Sequence, residues 1–531
     1  MSHYEKVLQD LGPFGPFQRR VFVLVSLFET PVAWAMLLPI FLGRKTSWKC
    51  ESQSASTEGN FSIAGNFSTS QNSSYHQNVT SYDDSPGKCN MDGTPCPGII
   101  FADEFTSIIS EWNLVCDRAS IPGHITTIQM CGVLVGALIT GQIADLIGRR
   151  KTLFCTYILL LIFSLGSAFV ASWEVFAVMR FMIGALVGGV MVVNFVLPLE
   201  FVTPRWRTFC GCIGFWAVGL MTLALWAYYI RDWRYLIICT SLSGIFILLT
   251  WWFIPESPRW LLTKGRFEEA EKILKKIAKC NNRELPDMNI LKSFAEREQK
   301  LREERSLYSY NDLFKSWKLA RNTLIVMYGW FVSSAVYYGL NFITGDLTGD
   351  LYRNVLVSGF VEIPALIFVV GVNNRIGRRK TISFLMILAG ISCFSVFIIS
   401  LSGKSQSLSV LSVVFAMIGK SGISGGWAAT QVFSAETFPT VIRNIGVASC
   451  SMAARLGGIA APQLVLLGSS SKVIPFTIFG ILAALYGILV LFLPETSGQP
   501  LPDDIHTSNV QANGDIERGG HESVPLQKTE S

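Results

Sequence analysis

Charged residues are scarce in this chain. They make up 15% of its 531 residues, whereas apolar residues make up 50%. A soluble globular chain carries about 25% charged residues, so this chain has too few to cover a soluble surface of its size. The deficit excludes a soluble enzyme and a disordered scaffold, and it indicates a polytopic membrane protein. No basic, aromatic patch stands apart from the apolar runs, so nucleic-acid binding is not expected.

Catalytic and metal-binding motifs are also missing. The five histidines lack the spacing of metal ligands, and we expect neither a cofactor nor enzyme activity. Gly419, Lys420 and Ser421 match the end of a Walker A phosphate loop, but Val414 occupies the position of its first glycine. ATP-driven transport is therefore not expected. A carrier of this kind would be a uniporter, an exchanger or a symporter coupled to an ion, Na⁺ or H⁺, that the sequence leaves open.

Long apolar runs are what the chain has in abundance. About 20 apolar residues in a helix cross a bilayer core. No cleavable signal peptide is expected, because the first 20 residues are polar and the first apolar run is too long. Twelve runs are predicted to span the membrane, at 21–43, 122–144, 153–172, 177–200, 209–230, 234–254, 322–344, 353–373, 381–401, 408–432, 444–467 and 473–493.

The polar segment 44–121 has the features of an extracellular loop. Four glycosylation sequons lie in it, at Asn60, Asn66, Asn72 and Asn78. Four cysteines also lie in it, namely Cys50, Cys89, Cys96 and Cys116. Together they indicate an oxidising compartment and two disulfides. The sequence leaves three pairings open.

A second polar segment, 255–320, fixes the predicted orientation. It contains 15 Lys or Arg residues, against five in 44–121, and such a bias marks the cytoplasmic side. Both termini are then cytoplasmic. The predicted organisation is an N-terminal segment 1–20, a six-helix half 21–254, the central loop 255–320, a second half 321–494 and a disordered tail 495–531.

Three short motifs recur in register in the two halves. The string IGRRKT occurs at 147–152 and 376–381, Pro-Glu follows each half at 255–256 and 494–495, and a glutamate ends the fourth span of each half at Glu200 and Glu436. A duplicated six-helix unit with two parallel halves is how the major facilitator fold is built.

The charges in these motifs suggest a gate on the cytoplasmic side. Such a cluster could lock the halves together and release as they rock, although basic residues can also simply hold a loop in the cytoplasm. Asn374 replaces the acidic residue in the second copy, which predicts a weaker lock there. The candidate gating residues are Asp145, Arg149, Arg150, Glu200, Arg378, Arg379, Glu436 and Arg443.

Longer stretches carry a family resemblance. They are 12–18 (GPFGPFQ), 111–118 (EWNLVCDR), 141–150 (GQIADLIGRR), 255–262 (PESPRWLL), 435–444 (AETFPTVIRN) and 455–458 (RLGG). Together they resemble the organic cation, carnitine and organic anion transporter family (solute carrier family 22) of the major facilitator superfamily. The resemblance implies an all-α membrane protein of twelve helices that transports by alternating access. Tyr337 to Leu340 and the later Gly345-Asp346 look closest to the carnitine and zwitterion branch.

Four ionisable side chains fall near the middle of separate predicted spans, namely Glu29, Glu362, Lys420 and Arg455. Such residues are costly in a membrane and are candidates for function. Their formal charges sum to zero, which fits a closed network. Structural roles are the alternative: Glu362 precedes Pro364 and could bond freed backbone groups, and Lys420 could be a fixed partner of a glutamate.

The family resemblance bears on the substrate. Cation transporters of the family tend to have an acid at the position of Arg455, whereas anion and carnitine-type members have arginine, so a substrate with a carboxylate or another anionic group is implied. Aromatic residues could hold a quaternary ammonium group, although aromatics are also common where helices face lipid. The candidate residues for this cage and its hydrogen bonds are Trp216, Tyr337, Tyr338, Trp427, Gln431 and Asn341.

The sequence therefore predicts a multi-pass plasma-membrane carrier of small organic zwitterions or anions, in contact with lipid and of open oligomeric state. An organic cation carrier is the alternative within transport. A receptor that retained the fold without flux is the alternative outside it.

Overall fold

A computed structural model describes residues 3–50, 89, 96, 99–102, 104–285, 310–347, 349–373, 375–402, 408–439, 442–469 and 473–496. The four sequon asparagines, Asn374 and the predicted tail from residue 497 onward lie outside these residues. Within them the chain is mainly helical.

Residues 3–281 contain thirteen described α-helices. They are α1 (His3–Asp10), α2 (Pro16–Ser26), α3 (Glu29–Leu37), α4 (Pro39–Leu42), α5 (Ile108–Glu111), α6 (Ile121–Ile147), α7 (Arg149–Gly166), α8 (Trp173–Leu199), α9 (Pro204–Cys212), α10 (Trp216–Tyr229), α11 (Trp233–Gly244), α12 (Pro258–Thr263) and α13 (Phe267–Asn281). The described helices of the second half are α14 (Trp317–Ile343), α15 (Leu351–Val372), α16 (Arg378–Leu401), α17 (Ser409–Thr437), α18 (Arg443–Leu466) and α19 (Val473–Leu489).

Eleven helical stretches in the described part of the chain are long and apolar enough to cross a membrane. The first of them, Pro16–Leu42, combines α2, α3 and α4. Helix α18 has 24 residues, which is also sufficient length, but its arginines and small polar residues lower its hydropathy. It lies in the position of the predicted eleventh span.

One predicted span is interrupted among the residues that the structure describes. The first predicted span, 21–43, is not: Leu27 and Phe28, between α2 and α3, keep right-handed helical backbone angles. The apolar run 209–230 predicts one helix, but the chain leaves helical geometry at 213–215, between α9 and α10. A Cβ atom at Gly214 would lie 1.9 Å from Oε2 of Glu29. Prediction from hydropathy missed this break because residues 213–215 are apolar residues and glycine. The side chain next to Gly214 comes from another span.

The expectation of an all-α protein needs one addition. Strands β1 (Trp48–Cys50) and β2 (Ile99–Phe101) form a two-stranded antiparallel sheet. The disulfides Cys50–Cys96 and Cys89–Cys116 lie beside it, and they are one of the three pairings that the sequence leaves open. We call this end of the helices the disulfide end, and the opposite end, where the repeated motifs lie, the motif end.

Glycines bring α6 and α8 into backbone contact. A Cβ atom at Gly136 would lie 1.8 Å from the carbonyl oxygen of Ala185, and one at Gly184 would lie 2.0 Å from the carbonyl oxygen of Gln129. The second half repeats the arrangement between α14 and α18, where Gly457 faces the carbonyl of Phe331. Small residues allow such close approach between membrane helices.

The three repeated motifs meet at the motif end of the N-terminal half. Glu256 accepts hydrogen bonds from the backbone N–H groups of Arg149 at 3.0 Å and Arg150 at 3.2 Å, and it thereby caps α7. Gly148 precedes the cap with φ 110° and ψ 156°. The Arg149 guanidinium also reaches Glu200 at 3.4 Å. A carboxylate at the positive end of a helix is stabilising.

The second half builds the same junction. Glu495 accepts from the backbone N–H of Arg378 at 2.8 Å and of Arg379 at 3.3 Å. Gly377 precedes them with φ 101°, and Arg378 forms an ion pair with Glu436. The motifs recur together in the sequence because they form one structural unit in each half.

Gly148→Ala should destabilise the N-terminal half. Its backbone conformation is open almost only to glycine, and forcing another residue into it costs about 1–3 kcal/mol. The added Cβ would also lie 2.4 Å from the Glu256 carboxylate. The thermal midpoint of the purified protein should fall. Gly166→Ala is the matched control at the other end of α7, because no atom lies within 4 Å of its Cβ position. Equal midpoints for the two variants would contradict the role of Gly148.

Candidate substrate site

A buried ion pair joins two helices of the C-terminal half. The Lys420 ammonium on α17 lies 3.0 Å from the Glu362 carboxylate on α15, and both side chains are almost fully buried. The Tyr337 hydroxyl on α14 donates to the same carboxylate at 2.9 Å. The Lys420 ammonium lies 3.3 Å from the centre of the Tyr337 ring, a cation–π contact. These two charges therefore compensate each other inside the membrane, where an isolated charge is costly.

Trp216 extends this group into the N-terminal half. Its indole N–H donates to the Tyr337 hydroxyl at 2.7 Å. Its backbone N–H, in the first turn of α10, donates to the Glu29 carboxylate at 3.2 Å, and Asn194 donates to the other oxygen of Glu29 at 3.2 Å. Glu29 thus caps the positive end of α10. Hydrogen bonds run from Glu29 through Trp216 and Tyr337 to Glu362, across both halves.

Tyr338 and Trp427 form an aromatic group with Tyr337. The ring centroids of Tyr337 and Trp427 are 5.4 Å apart, and those of Tyr338 and Trp427 are 6.2 Å apart, both edge-to-face. The indole N–H of Trp427 is buried and has no acceptor among the described residues. This group therefore offers ring faces to a cation and one donor to an anion.

Arg455 lies on α18 beside the same aromatic group. The Cβ position of Gly458, one turn further along the same helix, is 3.7 Å from the Tyr338 ring. The Nε atom of Arg455 is buried without a hydrogen-bond partner in the part of the chain that the structure describes. No carboxylate from that part pairs with it. Arg455 thus differs from Lys420, whose charge is already matched.

Two amides complete the predicted set. The Nδ2 atom of Asn341 on α14 is buried and has no hydrogen-bond partner among the described residues. Gln431 lies one turn beyond Trp427 on α17 and is partly buried. The structure therefore brings most of the predicted residues into one network, and Arg455, next to Tyr338, has no described hydrogen bond or ion pair to that network.

The site is closed towards the disulfide end. The Tyr352 hydroxyl of the C-terminal half accepts a hydrogen bond from Arg44 at 3.1 Å. Its ring stacks on Phe41, with centroids 5.9 Å apart, and meets the edge of Tyr228 at 5.7 Å. A cavity beside Lys420, at the same end of the site, has a volume of about 10 Å³. That cavity holds about one water molecule and is too small for an organic ion.

The candidate gating charges of the N-terminal half interact with one another. Arg149 pairs with Asp145 at 2.7 Å and with Glu200 at 3.4 Å. Arg150 donates to the Trp251 carbonyl at 2.6 Å and covers the ring of that residue.

The candidate gating charges of the C-terminal half also form contacts within their own half. Arg378 pairs with Glu436, Arg379 donates to the Leu493 carbonyl at 2.9 Å, and Arg443 donates to the Phe438 carbonyl at 3.3 Å. These contacts all connect helices or loops of one half. In this conformation the described contacts stabilise each half internally, and the predicted lock between the halves stays a prediction.

Sequence reasoning missed four polar residues of these networks. Glu256 and Glu495 were visible as repeated Pro-Glu motifs, but their capping role needs the fold. Asn194, the partner of Glu29, was visible as an amide inside an apolar run. Arg180 is 1% exposed, yet it lies only three residues from the start of the predicted run 177–200. The helix begins earlier, at Trp173, so Arg180 is deeper than the hydropathy indicated.

Comparison with known proteins identifies the family. Residues 60–504 match the family model described as sugar (and other) transporter. The chain is 36% identical over 520 residues to an organic cation transporter protein of Drosophila melanogaster, covering 94% of each chain. It is 32% identical over 545 residues to the organic cation/carnitine transporter 2 of Homo sapiens, covering 95% of this chain and 94% of the relative. The chain belongs to solute carrier family 22.

The fold agrees with this assignment. The major facilitator superfamily proton:xylose symporter XylE, solved with 6-bromo-6-deoxy-D-glucose, superposes with a TM-score of 0.62 at 15% identity, covering 91% of this chain and 98% of that one. At that identity the likeness concerns the fold. The predicted major facilitator fold is confirmed, and this family member is a multi-pass membrane transporter and not an enzyme.

Proposed function

We propose that this family member carries small organic zwitterions or anions, of carnitine or betaine type, across the plasma membrane by alternating access. The observation that carries the proposal is Arg455, a partly buried arginine beside an aromatic group, whose Nε atom is buried without a hydrogen-bond partner and which has no acidic partner among the described residues. An unmatched charge in a membrane protein is costly, and a substrate carboxylate would compensate it. The carnitine transporter name of the human relative supports the same substrate class.

The aromatic group supplies the second half of the recognition. A substrate carboxylate bound by Arg455 could also accept a hydrogen bond from the indole N–H of Trp427, which has no other acceptor among the described residues. The positive group of the zwitterion would then lie over Tyr338 or Trp427, since the face of Tyr337 is covered by Lys420 at 3.3 Å. Aromatic faces attract quaternary ammonium groups by cation–π interaction.

Alternating access would use the contacts that cross between the halves. The Tyr352 cluster closes the disulfide end, which we assign to the outside because the sequons lie in that loop. The Trp216–Tyr337 hydrogen bond also joins the halves, and it lies next to the site. We infer that substrate binding and the rocking of the two halves both alter the Trp216–Tyr337 hydrogen bond. Both termini are then cytoplasmic, and the coupling ion, if any, is Na⁺ or H⁺.

An organic cation carrier is the second candidate. The acidic residues Glu29 and Glu362 lie in the site, and the Drosophila relative is named an organic cation transporter. However, Glu362 is matched by Lys420 at 3.0 Å, and Glu29 is engaged by Asn194 and Trp216. The unmatched charge is positive, which favours the first candidate.

Tracer uptake by cells that express the protein tests the proposal. The panel contains carnitine, a betaine, a tetraalkylammonium cation and an aryl carboxylate, each with and without sodium. We expect uptake of the zwitterions above that of cells without the protein. Uptake of the tetraalkylammonium alone would overturn the proposal in favour of the cation carrier. No uptake of any compound, with the protein shown at the cell surface, would favour a receptor without flux.

A further inference from the structure

Arg180 lies outside the substrate site and has unused hydrogen-bonding capacity. It is on α8, between α3 and α6, and it is 1% exposed. Its Nη1 atom donates to the Ala35 carbonyl at 3.2 Å. Its Nε and Nη2 atoms are buried and have no hydrogen-bond partner among the described residues. These two atoms form the edge of a guanidinium that binds an anion through two parallel N–H groups.

The same chain shows that edge in use at another arginine. Arg234 donates from Nε and Nη2 to the two carboxylate oxygens of Glu111. No described carboxylate takes that position at Arg180. Several other described arginines have a buried Nε atom without a hydrogen-bond partner, but Arg180 is the one described arginine in which both Nε and Nη2 are buried and unpartnered.

Neighbouring residues hold Arg180 in place and shield it from water. Gln129 on α6 donates to the same Ala35 carbonyl at 3.1 Å, and both residues approach it where α6 and α8 are in backbone contact. The Arg180 guanidinium lies 5.2 Å from the Phe176 ring, and Phe176 packs against Trp233 with centroids 5.6 Å apart. Water therefore reaches this charge poorly, and its cost is high unless an anion accompanies it.

The charge balance of the membrane interior also favours an anion beside Arg180. The substrate site contains two carboxylates, Glu29 and Glu362, and two cations, Lys420 and Arg455. Arg180 adds a further cation and leaves a net positive charge. We propose that the Nε–Nη2 edge of Arg180 binds a small inorganic anion, chloride, inside the N-terminal half, separately from the organic substrate.

Thermal stability of the purified protein tests this site without any organic substrate. The midpoint is measured in sodium chloride, sodium bromide, sodium acetate and sodium gluconate at constant ionic strength. We expect a saturable rise with chloride and bromide and none with gluconate. Arg180→Gln should raise the half-saturating chloride concentration on the order of tenfold or more, the effect of one lost charge-assisted hydrogen bond. Lys275→Gln, which removes an exposed cation paired with Glu271 outside the membrane interior, is the control, and it should keep the halide response.

Anomalous X-ray diffraction from wild-type crystals grown with bromide provides a test that does not depend on the folding of a variant. An anomalous peak beside Arg180 is expected. Absence of that peak together with no halide response, or a halide response that survives in Arg180→Gln, would overturn the proposal. Stabilisation by acetate and not by halides would overturn it too, and would assign the site to carboxylates instead. The chloride response is independent of the substrate proposal, so failure of one leaves the other standing.

Discussion

Lys420→Met should strongly destabilise the protein. The substitution leaves Glu362 buried with only the Tyr337 hydroxyl as a hydrogen-bond donor among the described residues, and removing one partner of a buried ion pair costs about 3–5 kcal/mol. The thermal midpoint of the purified protein and the fraction at the cell surface should both fall. Glu362→Gln combined with Lys420→Gln should recover much of the loss, because neither side chain then carries an uncompensated charge.

Lys275→Met is the matched control for this experiment. Lys275 pairs with Glu271 at 2.7 Å on α13, where the Lys275 side chain is 59% exposed and the Glu271 side chain is 37% exposed. Exposed pairs contribute about 0.2–1 kcal/mol, so the midpoint should change little. If Lys420→Met were as mild as this control, the Lys420–Glu362 pair would not be a closed ion pair in the folded protein.

The double variant also separates folding from transport. A folded Glu362→Gln/Lys420→Gln protein that fails to take up substrate would place the pair in the transport cycle. Such a protein with normal uptake would make the pair a structural element of the C-terminal half. Comparing uptake by the single and the double variant thereby distinguishes the two alternatives that the sequence left open for Glu362 and Lys420.

Prediction from sequence succeeded where one physical rule dominates. Hydropathy over about 20 residues marks a membrane helix, and it predicted the positions of most spans. A repeated motif marks a duplicated half, and it predicted the fold class. It failed at residues 213–215 because the break depends on Glu29 from another span. It missed the small sheet because β1 and β2 are each three residues long.

The same distinction applies to the site. The depth of Glu362 and Lys420 in separate spans could be counted along the chain, but their pairing depends on how α15 and α17 pack. Arg180 was overlooked because its helix starts at Trp173, and hydropathy places helix ends poorly. The candidate gating charges could be found in the sequence because their motifs are repeated. Only the folded structure shows that their described contacts stay within one half.

Arg455→Gln should abolish selective uptake of carboxylate-bearing substrates. A charged hydrogen-bonded contact that is lost from a buried site costs about 2–5 kcal/mol, which corresponds to a loss of affinity between about 30-fold and about 5,000-fold. The measurement compares uptake of carnitine with uptake of its methyl ester, which has the same ammonium group and no carboxylate. The ratio of the two should fall in Arg455→Gln, with surface expression measured in parallel.

Arg455→Lys refines the same test. Lysine keeps the positive charge but lacks the planar fork that matches a carboxylate, so carnitine uptake should be intermediate between the wild type and Arg455→Gln. Loss in Arg455→Gln and Arg455→Lys alike would indicate that the fork is essential. Unchanged affinity for carnitine in Arg455→Gln would mean that the carboxylate binds elsewhere. Arg455 would then be structural, and preserved uptake of a tetraalkylammonium cation would favour the organic cation carrier.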